Sequence, residues 1–169
     1  KKNINKFNDM QIAAFSDDIR DGIKGSTFYR CTKGFVSGSE GFEETIKFGV
    51  VASTYHKDVD INKVNYSNYF WANEPYQTIN YVSSHDNLTL FDKLNLSNKG
   101  ESDSNIILMN KLAATIIFTS QGIPFIQGGE EMLRTKCDIN GNIIENSYNA
   151  SDYVNRIEWA RKIEFNEVF

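Results

Sequence analysis

The residues of this 169-residue chain that could do chemistry fall in three short polar clusters, each directly behind an apolar run. His85, Asp86 and Asn87 follow residues 78–82; Asp17, Asp18, Arg20 and Asp21 follow residues 12–15; Glu130 and Glu131 follow residues 123–126. Carboxylates and amides dominate. A carboxylate accepts two hydroxyl hydrogen bonds in one plane, and a charge-assisted bond is stronger than a neutral one. The inventory therefore suits a ligand rich in hydroxyl groups better than a nucleotide phosphate. A His-Asp pair behind a strand is, on its own, more often a loop cap or a surface ion pair than a catalytic site. The run from Asp17 to Asp21 reads as a structural cluster of salt bridges and hydrogen bonds, and Glu130 with Glu131 as structural also.

Those clusters need elements to hold them. Residues 12–15, 78–82 and 123–126 are short enough for buried strands. Residues 104–119 place Ile106, Met109, Leu112, Ala113, Ile116 and Ile117 on one face of a helix of about four turns. Phe42, Ile46 and Val50 recur at helical spacing behind Ser39, which reads as the cap. Residues 62–76 carry Tyr66, Tyr69, Phe70, Trp71 and Tyr76 without a period and read as a loop. Strand, polar cluster, then a segment long enough to cross back over the sheet is the order of an α/β protein with parallel strands, a (β/α)8 barrel or an open doubly wound sheet. In both, residues just beyond the strand C-terminal ends line the site.

Composition removes several classes of function. A net charge of −4 and a pI of about 5.2 leave no basic patch for nucleic acid or an anionic membrane surface. The longest apolar stretch, near residues 106–118, is broken by Asn110 and Lys111 and is too short to span a bilayer. Cys31 and Cys137 have no redox or zinc spacing and read as free thiols, and His56 and His85 lie outside any metal motif. No metal or cofactor is expected. Asp138, Asn140 and Asn142 lack the spacing of a calcium loop; Asn140-Gly141 reads instead as a hairpin turn with both residues at positive φ.

Residues 81–94, YVSSHDNLTLFDKL, resemble the α-amylase superfamily segment that carries its third catalytic carboxylate. With FSDDIRDGIKGSTF (15–28), SQGIPFIQGGEEMLRTK (120–136) and ENSYNASDYVNRIEWARK (145–162), the chain resembles the type I pullulanases. The resemblance implies a partial (β/α)8 TIM barrel, roughly strands six to eight with their helices and loops, so that residues 1–169 form a single, incomplete domain. It implies a retaining hydrolase of α-1,6-glucosidic bonds in pullulan and branched starch or glycogen products, with an aspartate nucleophile and a glutamate acid/base. In the family these two stand on strands four and five, before Lys1, so the chain alone is expected to be inactive.

The resemblance makes Asp86 the transition-state stabiliser and His85 a donor to a ring hydroxyl, with Asn87, Asn146, Tyr148, Asp152 and Asn155 as further sugar contacts. The implied partners are an α-glucan and the remainder of the barrel. Phe91 stands where many relatives have tryptophan, and residues 137–144 look like a variable hairpin. Alternatives are another α-amylase superfamily enzyme, of isoamylase or amylase type, and a non-catalytic α-glucan-binding remnant. The Asn and Lys bias suggests a bacterial source; relatives of the family occur both inside and outside the cell, and of the two the unpaired cysteines favour the cytoplasm over an extracellular location.

Overall fold

A computed structural model of the protein describes residues 10–169. The domain expected over residues 1–169 thus includes nine residues outside the described ones. Three very short strands, β1 (Ala14–Phe15), β2 (Thr78–Asn80) and β3 (Ile123–Pro124), form a parallel sheet in the order β1-β2-β3. Ala14 stands opposite Thr78, and Ile79 opposite both Phe15 and Ile123. All three strands therefore end at one edge of the sheet. Between them run α1 (Asp17–Lys24), α2 (Glu43–Val50), α3 (Leu90–Ser97) and α4 (Asp103–Thr119); α5 (Asp152–Asn155) and α6 (Arg161–Glu164) follow β3.

The helices cover one face of the sheet. Ile19 and Ile23 of α1, Ile46 of α2, Leu90 and Leu94 of α3, and Ile106, Ala113 and Ile117 of α4 form the main core with Val82. Gly49 is what lets α1 and α2 touch: a Cβ there would lie 2.6 Å from the Ile19 side chain. β2 is held to this layer by Asn80, whose Nδ2 donates to the carbonyls of Gly49 (3.3 Å) and Gln121 (2.7 Å). A second cluster joins Phe48 to Val59, Val64, Trp71 and Ala72, with Phe70 packed on it. Phe70 and Trp71 thus cover α2.

Several expectations need correction. β1 and β3 are not buried, since Phe15 is 37% and Ile123 42% exposed. Only β2 is enclosed, because among the described residues the helices lie on one face, whereas all-parallel sheets are ordinarily covered on both. Phe15, Tyr81 and Phe125 meet edge to face at this open side, with centroids 4.9–6.3 Å apart. The acidic run behind β1 is the start of α1, where Asp17 and Asp18 offset the N-terminal dipole. α2 begins at Glu43 with Phe42 in the cap position. Ser39 belongs to the turn before it, its N–H bonded to Gly34 O, and Gly41 at φ +82° redirects the chain first.

The stripe of α4 is also shifted. Asn110 is buried with Ile106 and Ala113, one turn either side, while Leu112 faces outward. α3 escaped the sequence reading; Thr89 caps it, its Oγ1 accepting from Asp92 N at 3.1 Å. Cys137 pairs with Ile143 across a hairpin in which only Gly141, not Asn140, takes a positive φ. The Asp138 carboxylate fills that turn by accepting from the N–H groups of Asn140 and Asn142. α6 docks through Arg161, which donates to Leu133 O at 2.9 Å and lies over Phe91 and Phe165. Cys31 and Cys137 are free thiols, and no helix of the described residues is long and apolar enough to cross a membrane.

Candidate functional site

β2 and α3 pin the two ends of the segment that carries His85 and Asp86. Beyond Asn80 the chain stays buried through Tyr81, Val82 and Ser83, emerges at His85 and Asp86, and is buried again at Leu88. Asn87 makes the turn at φ +58°, a left-handed conformation that asparagine tolerates better than most residues. His85 Nε2 and Asp86 Oδ1 are 3.6 Å apart, and their side chains are 89% and 70% exposed. Both project beyond the C-terminal end of a parallel strand.

A cleft of about 150 Å³ opens beside them. Its walls bring together six of the seven residues expected to bind, His85, Asp86, Asn87, Asn146, Tyr148 and Asn155. Asp152 is not among them, although Asn155 at the other end of the one-turn helix α5 is. Asn155 contributes differently from expectation. Its Nδ2 donates to Ser147 O (2.7 Å) and Ala150 O (3.3 Å), holding the turn that presents Asn146 and Tyr148. Glu145 and Ser147 complete the lining. They were missed as site residues, although both lie within the segment that carries the resemblance. Glu145 is fixed by Arg30 at 3.3 Å. The arrangement offers carboxylates, amides, an imidazole and a phenol to hydroxyl groups.

The side chains of the other two clusters are engaged by partners within the chain. Arg20 bonds Asp17 (3.0 Å) and Asp21 (2.6 Å) and donates to Tyr81 Oη (2.8 Å), which in turn donates to Asp17. Burial pushes the Tyr81 hydroxyl up to about 12. Glu131 accepts from Gly129 N, and buried Glu130 accepts from the Ser83 hydroxyl. Burial raises the Glu130 carboxyl to about 7 and lowers the Lys24 ammonium to about 7, each against the favourable field of the other. A larger hollow of about 560 Å³, between α4 and the last residues of the chain, contains none of the expected sugar contacts. Among the described residues no group of three or more His, Cys, Asp or Glu side chains is placed to hold a metal ion.

No protein-family model matches the chain. Individual proteins do. The pullulanase of Bacillus subtilis (strain 168) is 37% identical over 156 residues, 92% of this chain and 20% of that protein. The chloroplastic pullulanase 1 of Arabidopsis thaliana is 34% identical over 88% of this chain and 18% of its own length. The solved structure of the pullulanase from Bacillus acidopullulyticus superposes with a TM-score of 0.81 at 42% identity, covering 96% of this chain and 18% of that one. The chain thus spans about a fifth of the length of these relatives. Over most of its length, its homologues are pullulanases.

Proposed function

We propose that this chain is the strand-six-to-eight part of the catalytic (β/α)8 barrel of a pullulanase-type debranching hydrolase, a single domain completed by sequence outside these residues. The observation that carries the reading is the convergence of His85 and Asp86 with Asn146 and Tyr148 on one cleft at the C-terminal edge of a parallel sheet, where barrel enzymes place their sites. The open face of the sheet supports the incomplete barrel, since Ile123 and Phe125 stay exposed where an all-parallel sheet is ordinarily covered. Relatives support the ligand: the Bacillus subtilis enzyme has been solved with maltose and the Paenibacillus barengoltzii enzyme with maltohexaose and alpha-cyclodextrin.

In this reading Asp86 accepts hydrogen bonds from two ring hydroxyls and His85 donates to a third polar atom of the same sugar. The Asp86 contacts strengthen as positive charge builds on an oxocarbenium-like ring, while His85 fixes the sugar's orientation. The nucleophile and the general acid are supplied from outside these 169 residues, so the isolated chain releases no sugar. The free thiols Cys31 and Cys137 support a reducing compartment such as a bacterial cytoplasm.

The test is hydrolysis of pullulan by the full-length protein, read as new reducing ends. Asp86→Asn is expected to lower turnover by about 10³-fold, the scale of losing a transition-state stabiliser. Unchanged turnover removes Asp86 from the chemistry. A preference for glycogen or amylose over pullulan would move the substrate to that of an isoamylase-type enzyme or an amylase.

A further inference from the structure

We propose that Lys136 is the positioning residue of this cleft, its buried ammonium joining the two walls by donating to the main-chain carbonyls of His85 and Glu145. The inference rests on the reading of the cleft as the place that holds the glucan. Lys136 Nζ lies 3.3 Å from His85 O and 3.3 Å from Glu145 O, and the residue is 1% exposed. Lysine is almost never so fully buried unless its charge is paired. Here the charge is met by two carbonyl dipoles and by the fields of Asp92, Asp86 and Glu145, which oppose the lowering of its pKa by burial.

The two carbonyls belong to different parts of the chain. Glu145 is nine residues from Lys136, across the hairpin whose base is closed by Ile144 N bonding Lys136 O at 2.8 Å. His85 is fifty-one residues away, on the segment between β2 and α3. One ammonium therefore fixes the spacing between the His85-Asp86 wall and the Glu145–Tyr148 wall. The lysine is itself held at its backbone. Asp92 of α3 accepts from Lys136 N at 2.9 Å and from Thr135 Oγ1 at 2.5 Å. Leu133, buried in a left-handed conformation at φ +57°, turns the chain towards that anchor. α3 thus orients both walls, one through its own N-terminus and the other through Asp92 and Lys136.

The experiment is a double-mutant cycle in the full-length protein with pullulan as substrate. Lys136→Met keeps the stem and removes the donors. It is expected to fold and to lower kcat by about 10²-fold, the cost of a misplaced reacting geometry, with KM changed by less than about threefold. Lys136→Gln, which reaches one carbonyl, should recover part of that loss. In an Asp86→Asn background Lys136→Met should cost less than about threefold more, because the group it positions is already gone. Additive losses, an unchanged kcat, or a loss confined to KM would overturn the proposal. Failure of both lysine variants to fold would also overturn it, making Lys136 a residue of stability alone. Wild-type turnover of Asp86→Asn by itself would instead overturn the functional reading, and this inference with it.

Discussion

Replacing Glu130 by glutamine tests whether burial or ion pairing governs the polar interior beside α1 and the segment after β2. Glu130 is 8% exposed, receives the Ser83 hydroxyl and feels the charge of Lys24, yet burial dominates and lifts its carboxyl from 4.5 to about 7. A raised folded pKa means that the folded protein holds the proton more tightly. The stability this confers is complete below about 4.5 and is lost as pH rises to about 7. At about 1.4 kcal/mol per pH unit the loss is about 3 kcal/mol. Lys24 has the opposite sense: its folded pKa falls from 10.5 to about 7, so its contribution is complete above about 10.5 and lost as pH falls to about 7.

Glutamine keeps the shape and an acceptor for Ser83 while removing the acid limb. In urea unfolding of the full-length protein, Glu130→Gln should match the parent within about 1 kcal/mol near pH 5 and exceed it by about 2–3 kcal/mol near pH 8. A variant less stable than the parent near pH 8 would refute the reasoning, since it would mean that pairing with Lys24 outweighs burial and holds the carboxyl below its ordinary value.

Two further outcomes test the scaffold. Gly49→Ala should destabilise the fold by about 1–3 kcal/mol through overpacking against Ile19, read as a lower urea midpoint. At Asn87, glycine should leave stability within about 0.5 kcal/mol while valine costs about 1–3 kcal/mol, because only the β-branched residue resists φ +58°; equal stabilities would contradict that account.

Local pattern was enough for much of the fold. The apolar runs mark all three strands, and the long periodic segment at residues 104–119 is α4 with its N-cap at Ser102. α3 was hidden because eight residues give barely two turns, and its polar lining, Asp92 and Lys93, is buried by partners remote in sequence. Asp92 meets Thr135 and Lys136, and Lys93 is caged by the carbonyls of Ser26, Tyr29 and Arg30. Reading Leu112 as core failed for a related reason. Apolar spacing alone does not reveal which flank of a helix meets its neighbours, and here Asn110 does.

The candidate site divides along the same line. His85, Asp86 and Asn87 are contiguous, so the residue order alone places them together behind a strand. Their gathering with Asn146 and Tyr148, the exclusion of Asp152 and the diversion of Asn155 to a loop clamp depend on how a hairpin and a short helix fold back after β3. Sequence by itself determined the alternation of strands and helices, the net charge and the contiguity of His85, Asp86 and Asn87, because these are read directly along the chain. Only the tertiary structure decided which polar groups face that cleft and which are buried beneath it. A buried charge such as Lys136 is tolerated only where distant segments supply its partners, and nothing in its neighbours along the chain reveals them.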